Sequence, residues 1–347
     1  MQTRFPISIL LHAPNIHVGG GLNLLECLLE TCPDAFSWTQ LDRRIKNEEI
    51  LKKRIATHWV TKSIWSRLLA EWRLYRRCAT EDTVLCFHGL PPLLPIRGQV
   101  VVFVQNRILF EKRSLFGYSF VTRVRLTIER LSTLTMHRNC NRYIVQTPSM
   151  KIAVQNCLGP DVDVSVLPFA SSVDSFSPKK TSAFVRKYDF VYVASGEAHK
   201  NHTNLLEAWR LLANGGLKPS LALTINSQSS PSLSDEITRY TQQYGLNIVN
   251  LGQIPSVDIT NLYQSSSALI FPSRTESLGL PLVEATQHGL PVLASELDYV
   301  RDVIEPVETF DPNSPVSIAR AVRRFLGNVE PTVLIRSAEE FLAEVLR

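Results

Sequence analysis

Residues 188–213, YDFVYVASGEAHKNHTNLLEAWRLLA, set three kinds of segment in a row. Tyr188–Ala194 is a short aromatic and β-branched run of the kind that forms a strand buried on both faces. Ser195–Lys200 is polar and contains Gly196. Leu205–Ala213 spaces its apolar residues as one face of a helix, and Asn204 with Glu207 three residues on has the form of a capping box. The same order recurs downstream: Leu221–Ile225 before a helix near Leu233–Tyr244, Ile248–Leu251 before Val257–Ser266, and Ala268–Phe271 before Leu282–His288, with Pro291–Ala294 as a further strand. Buried strands alternating with amphipathic helices make a parallel sheet covered on both faces, with its ligand crevice at the carboxyl ends of the strands. Functional residues are therefore expected in the loops just after those strands.

The first half repeats the theme less regularly, with strands predicted at Ile7–Leu11, Val84–Phe87, Val100–Val104, Tyr143–Gln146 and Val166–Pro168. A chain of 347 residues favours two domains, and Ala170–Pro178 reads as the linker between them. Residues 1–170 carry 22 Lys and Arg against 13 Asp and Glu, whereas residues 171–347 carry 15 against 19. The two halves thus face different partners. The basic excess concentrates in Arg43–Arg77, with 11 cationic residues against 3 acidic ones. There Leu51, Ile55, Trp59, Trp65, Leu68, Leu69 and Trp72 fall near helical spacing. Two readings suit it: a core-facing helix pair with a solvated basic side, or a surface seated on anionic lipid. The charge and the three tryptophans tip the balance toward the membrane. Nucleic acid is set aside, because no recognised binding module accompanies the charge.

The six cysteines, Cys27, Cys32, Cys78, Cys86, Cys140 and Cys157, include no C-x-x-C pair and argue against a zinc site or a disulfide framework. No stretch has the apolar length of a membrane span. A cytoplasmic protein, peripheral on the inner face of the cell membrane, is expected.

Phe271–Ala285, FPSRTESLGLPLVEA, is the stretch richest in chemistry. Pro281 stands where a helix begins, so the N–H groups around Gly279 face the crevice as an anion site. Glu284 has a carboxylate suited to a vicinal diol such as a ribose, and Glu276 one suited to hydroxyls of a second sugar. Acidic residues near a helix start also simply complement the helix dipole, and alone the two readings weigh equally. Gly19, Gly20 and Gly21, after the first strand, allow close backbone approach to a pyrophosphate or simply form a tight turn.

PSRTESLGLPLVEATQHGLPVLAS, with Glu276 and Glu284 in E-x7-E spacing, resembles the donor-site signature of glycosyltransferase family 4, whose members are retaining enzymes. HVGGGLNLL resembles that family's glycine-rich loop, RYIVQTPSM the strand before its interdomain region, LPFASSVDSFSP its domain-linking segment and ASGEAHKNHTNLLEA its phosphate-binding loop. The resemblance covers roughly residues 5–310 and implies an α/β GT-B fold of two Rossmann-like doubly wound domains facing across a cleft. It implies an acceptor-binding domain over residues 1–170, a nucleotide-sugar domain over 171–328, and a C-terminal helix at 329–347 that returns to the first domain. Lys200 matches the lysine that pairs with the donor diphosphate, and His88 resembles a histidine often found at the crevice edge, where a purely structural role is nearly as good a reading. Lys200, Glu276 and His88 are thereby the implied catalytic set. Gly19, Gly20, Gly21, Arg274, Ser277, Leu278, Gly279, Leu280 and Glu284 join Lys200 and Glu276 in holding the donor.

The chain departs from the family in two places. No arginine precedes Lys200, so Arg274 or His199 supplies the second positive group, or Lys200 acts alone. Gln105 and Asn106 stand where many members have His-Asp. The implied activity is transfer of a sugar from a nucleotide sugar to a glycan or a polyprenyl-diphosphate-linked acceptor in bacterial surface polysaccharide assembly, with no metal and no cofactor. A nucleotide-sugar epimerase of the same fold and a non-catalytic sugar-binding relative are the alternatives.

Overall fold

The computed structural model describes residues 9–45, 56–111, 115, 118–169 and 186–329. Within them the chain forms two parallel sheets flanked by helices. The first half runs β1 (Ile9–Ala13), α1 (Gly19–Thr31), β2 (Phe36–Asp42), β3 (Ala56–Val60), α2 (Ile64–Arg77), β4 (Thr83–Cys86), β5 (Gln99–Phe103), α3 (Phe120–Met136), β6 (Arg142–Val145), α4 (Pro148–Leu158) and β7 (Val164–Val166). The second runs β8 (Tyr188–Tyr192), α5 (His202–Asn214), β9 (Leu221–Leu223), α6 (Pro231–Tyr244), β10 (Ile248–Asn250), α7 (Ser256–Gln264), β11 (Ser266–Phe271), α8 (Leu280–Gln287), β12 (Val292–Ser295), α9 (Asp298–Arg301), β13 (Glu308–Phe310) and α10 (Pro315–Phe325).

The sheet orders are β3-β2-β1-β4-β5-β6-β7 and β10-β9-β8-β11-β12-β13. Each reverses direction at one place, between β1 and β4 and between β8 and β11, and such a reversal opens a crevice at the carboxyl ends of the strands. Alternation along β1 sends Leu10 to one apolar cluster, with Val84, Val102 and Val145, and Leu11 to another, with Leu24, Phe87 and Phe103. Both faces of the sheet are therefore covered, which is why its strands read as continuous apolar runs. The second sheet shares one core in which Phe190 meets Trp209 edge to face at 5.6 Å. Trp209 donates its indole N–H to the Pro219 carbonyl at 2.9 Å.

The expected strands are present with ends shifted by a few residues, and two expectations need correction. Ala56–Val60 is a strand paired in parallel with β2, not part of a helix; its run includes the β-branched Thr57 and Val60, and among the described residues of the basic stretch the helix is Ile64–Arg77. The capping box does not form. Helix α5 begins earlier, at His202 after Asn201, while Asn204 donates to the Pro312 carbonyl and Glu207 pairs with Arg210. The linker expected at Ala170–Pro178, the helix expected beyond residue 329, and Leu51 and Ile55 with the lysines beside them lie outside the described residues.

Because Trp209 is fully buried and its indole is bonded, Trp209→Ala is expected to destabilise the second half by about 3–5 kcal/mol. Denaturant unfolding followed by far-UV circular dichroism reads this. A change below about 1 kcal/mol would contradict the packing described.

Candidate functional site

The loops after β8 and β11 meet at the second crevice, and backbone bonds join them before any side chain does. Lys200 ends a single tight turn, and Asn201 follows with φ 65°, the left-handed conformation that turns the chain into α5. The Asn201 amide donates to the carbonyls of Pro272 and Pro312 at 3.0 and 2.7 Å. The Arg274 N–H donates to the His199 carbonyl at 2.8 Å, and the Tyr192 hydroxyl to the Lys200 carbonyl at 2.8 Å. On this frame the Lys200 ammonium donates to Glu276 Oε1 at 2.7 Å, and the Ser273 hydroxyl donates to the same oxygen at 2.6 Å. Only 16% of the lysine side chain and 11% of the glutamate side chain are exposed. A shielded charge pair of this kind is little screened by salt.

Eight residues beyond Glu276 the second carboxylate lies in α8. Gly279, φ 76°, caps this helix in a conformation that glycine alone adopts readily. Leu280 is the first helical residue and Pro281 the second, one position later than expected. Leu282 N–H closes onto the Gly279 carbonyl. No hydrogen bond among the described residues engages the N–H groups of Gly279 and Leu280, so the helix start keeps donors for an anion. Glu284 stands beyond the first turn rather than inside it. Its Oε2 accepts from the Tyr263 hydroxyl at 2.9 Å. Burial pushes its carboxyl above the ordinary range, and the Tyr263 bond opposes that only in part.

The first half closes over this site. A Cβ on Gly20 would stand 2.9 Å from the Leu280 Cδ1 methyl, so the start of α1 lies directly against the first residue of α8. A Cβ on Gly21 would strike the Gln105 side-chain oxygen at 2.4 Å, and Gln105 is itself held by donating to the Phe87 carbonyl at 2.7 Å. Leu280 packs on the cluster that includes Leu11 and Phe103. Thr147 donates to the Ser277 carbonyl at 3.3 Å, Ser149 N–H to Asp302 at 2.9 Å, and the Tyr118 hydroxyl lies 3.2 Å from His199 Nδ1. The seam between the halves therefore runs through residues of the expected donor site.

Lys200, Arg274, Glu276, Ser277, Gly279, Leu280 and Glu284 all fall at the expected crevice, with Gly20 across from them. Leu278 is buried and supports the loop from within. His88 lies in the first half, where β1 and β4 adjoin. It follows β4, half-buried, its Nδ1 3.3 Å from the His12 carbonyl and its ring edge-on to His12 at 5.0 Å. Burial, with the His12 ring adding to it, lowers its pKa to about 3 and keeps it neutral. Asn106 caps the short turn after β5 by accepting from the Ile108 N–H. Tyr263, Ser273, Tyr192 and Asn201 were not singled out by sequence. Tyr263 and Asn201 act through partners 21 and 71 residues away, and Ser273 and Tyr192 stand three and eight residues before Glu276 and Lys200 with nothing in their spacing to mark the contact.

Residues 174–340 match the family described as "Glycosyl transferases group 1". The serotype-specific mannosyltransferase WbdA of Escherichia coli is 29% identical over 198 residues, which are 57% of this chain and 24% of that protein. The O-antigen chain mannosyltransferase B of the same species is 25% identical over 160 residues, 43% of this chain and 41% of its own. The chain thus spans about a quarter to two fifths of the length of these relatives. The structure of Anabaena HepE in complex with UDP and glucose superposes with a TM-score of 0.65 at 16% identity, covering 92% of this chain and 90% of that one. The fold is the GT-B arrangement.

The raised Glu284 pKa has a stability consequence. Where the folded value lies above the unfolded one, the folded protein holds the proton more tightly, so stability is lost as pH rises from the ordinary carboxylate range through the raised value. Without ligand, Glu284→Gln is expected to be more stable than the parent at about pH 7, with the difference shrinking at about pH 4. Paired denaturation curves read it. A variant less stable at neutral pH would mean that the Tyr263 bond outweighs burial.

Proposed function

We propose that this protein is a retaining glycosyltransferase of family 4, moving a sugar from a nucleotide donor to a glycan or polyprenyl-diphosphate-linked acceptor in bacterial surface polysaccharide assembly. The observation that carries this reading is the pairing of Lys200 with Glu276 beside the start of α8, one turn before Glu284. Those groups match the parts of a nucleotide sugar. A diphosphate takes the ammonium and the N–H groups around Gly279, a ribose diol takes Glu284, and the transferred sugar takes Glu276. The match of residues 174–340 and the serotype-specific and O-antigen relatives support the reaction class and the polysaccharide setting. In this reading residues 1–170 hold the acceptor and 171–328 the donor.

In the mechanism, Lys200 stabilises negative charge as the diphosphate leaves, an electrostatic contribution that matters most in a site shielded from water. Glu276 holds the ammonium in place until the donor arrives and then accepts from sugar hydroxyls. Gly20, across the seam, brings the first half's backbone within reach of the pyrophosphate. A donor phosphate oxygen takes the acceptor proton on the same face, so the protein's share is chiefly positioning.

Membrane attachment belongs to the same proposal. No helix among the described residues is long and apolar enough to cross a membrane. Yet α2 exposes Ile64, Trp65, Leu68, Leu69, Trp72 and Tyr75, with Trp65 80% exposed, and α3 exposes Phe120, Val121, Ile128 and Leu131. The Arg76 guanidinium lies over the Trp72 ring at 5.6 Å. Apolar rings with arginine beside them suit the interface of an anionic bilayer, and this supports a peripheral position on the cytoplasmic face. The expected lipid contribution of Lys52, Lys53 and Arg54 lies outside the described residues.

Two outcomes follow. Lys200→Ala is expected to lower turnover by about 100-fold or more with the matching UDP-, GDP- or dTDP-sugar, first identified by ligand-induced thermal shift; near-normal turnover would refute the assignment. Replacing Trp65 and Trp72 together with Gln should sharply reduce sedimentation with anionic vesicles and leave nucleotide binding as in the parent. Unchanged sedimentation, or none by the parent, would end the membrane reading alone.

A further inference from the structure

In the first half, three side chains from β1, α2 and the loop after β4 converge beside the sheet. One ring nitrogen each of His12 and His88 and one carboxylate oxygen of Glu71 lie within 4.8 Å of one another. Each of the three is held through another of its polar atoms. His12 Nδ1 is 2.6 Å from Gln40 Oε1, and the Gln40 amide is itself oriented by donating to the Ala70 carbonyl at 3.0 Å. That oxygen can only accept, so His12 Nδ1 carries the proton. The Leu93 N–H donates to Glu71 Oε2 at 3.0 Å, which leaves Oε1 facing the histidine. His88 donates its Nδ1–H to the His12 carbonyl and so keeps a lone pair on its other nitrogen. Outer bonds of this kind orient imidazoles and carboxylates around a metal ion and fix the tautomer that can ligate.

We infer that His12, Glu71 and His88 form a binding site for one divalent ion of the zinc class. Two imidazole nitrogens and one carboxylate oxygen suit zinc or its first-row neighbours, whereas magnesium and calcium favour sets made of oxygen. His12 is fully buried and Glu71 nearly so, while His88 is half-buried, so the three-ligand set comes nearest to solvent at His88. Without an ion, His12 Nε2 stands 3.1 Å from Glu71 Oε1. An entering ion takes its place between the same two atoms. The inference does not rest on the nucleotide site, which the second half builds from other residues.

The test uses the full chain, stripped with a chelator and titrated with Zn²⁺ by calorimetry. One ion per chain is expected. Affinity should fall about tenfold or more in Glu71→Gln and in His88→Ala. Co²⁺ in place of zinc should give the visible absorption of a four-coordinate ion without the near-ultraviolet band of thiolate ligation, which separates this site from the free cysteines. No binding by the parent, a thiolate band, or affinity unchanged in His88→Ala would overturn the inference and leave the cluster as a hydrogen-bonded His12–Glu71 pair. The parent's Co²⁺ spectrum decides the matter even if Glu71→Gln fails to fold. Nucleoside diphosphate binding by the parent, measured alongside, separates the two readings, since its absence would refute the donor site and leave the ion site standing.

Discussion

The contact between Lys200 and Glu276 joins two loops that are 76 residues apart in sequence, and the second crevice takes its form from that closure. Removing two charges from water costs several kcal/mol, and a pair so placed adds little net stability. Its effect is positional. Losing one partner would leave the other charge shielded and uncompensated, at a cost of about 3–5 kcal/mol. The backbone anticipates the pair: Asn201 ties the turn of Lys200 to Pro272, and Arg274 N–H ties the loop of Glu276 to His199. Without those bonds the two side chains would pay more conformational entropy to meet. The site is therefore preformed, as a centre that works by electrostatics requires.

Placement follows from topology. Both sheets reverse at the strand that begins them, β1 beside β4 and β8 beside β11, so each half offers one crevice. The contact of Gly20 with Leu280 sets the glycine-rich start of α1 against the start of α8. Thr147 with Ser277 and Ser149 with Asp302 then fix the seam from the other side. Each of these is a single hydrogen bond or a small apolar contact, individually worth about 1 kcal/mol. A seam built from such parts can open and close at low cost, which suits a site whose ligand must enter between two halves.

Much of this was legible before any coordinates. Tyr188–Tyr192 and Ser266–Phe271 announce themselves because strands buried on both faces must be apolar throughout. Glu276, Gly279, Pro281 and Glu284 are legible because a loop, a glycine cap and a helix start are local features with local spacing. What failed to show was of two kinds. Ala56–Val60 sits inside a basic stretch whose tryptophans mimic helical spacing, and only its pairing with β2 makes it a strand. Tyr263 and His12 gain their meaning from partners 21 and 59 residues away, and no short window of sequence contains both members of such a pair, whereas Ser273 stands three residues before Glu276 and nothing in its type marks the bond. Glu284 was legible as a carboxylate at a helix, yet its bond to Tyr263 and its raised pKa belong to tertiary structure alone.

The central claim is that two carboxylates eight residues apart divide one ligand between them. Calorimetric titration of a nucleoside diphosphate into the parent, Glu284→Ala and Glu276→Ala tests it most directly. Glu284→Ala should lose at least about tenfold in affinity, the loss of one charge-assisted hydrogen bond. Glu276→Ala, whose carboxylate serves the sugar rather than the nucleotide, should bind the diphosphate at least as well as the parent does, because Lys200 is then released to it. Equal weakening by both substitutions, or no binding by the parent, would contradict the account.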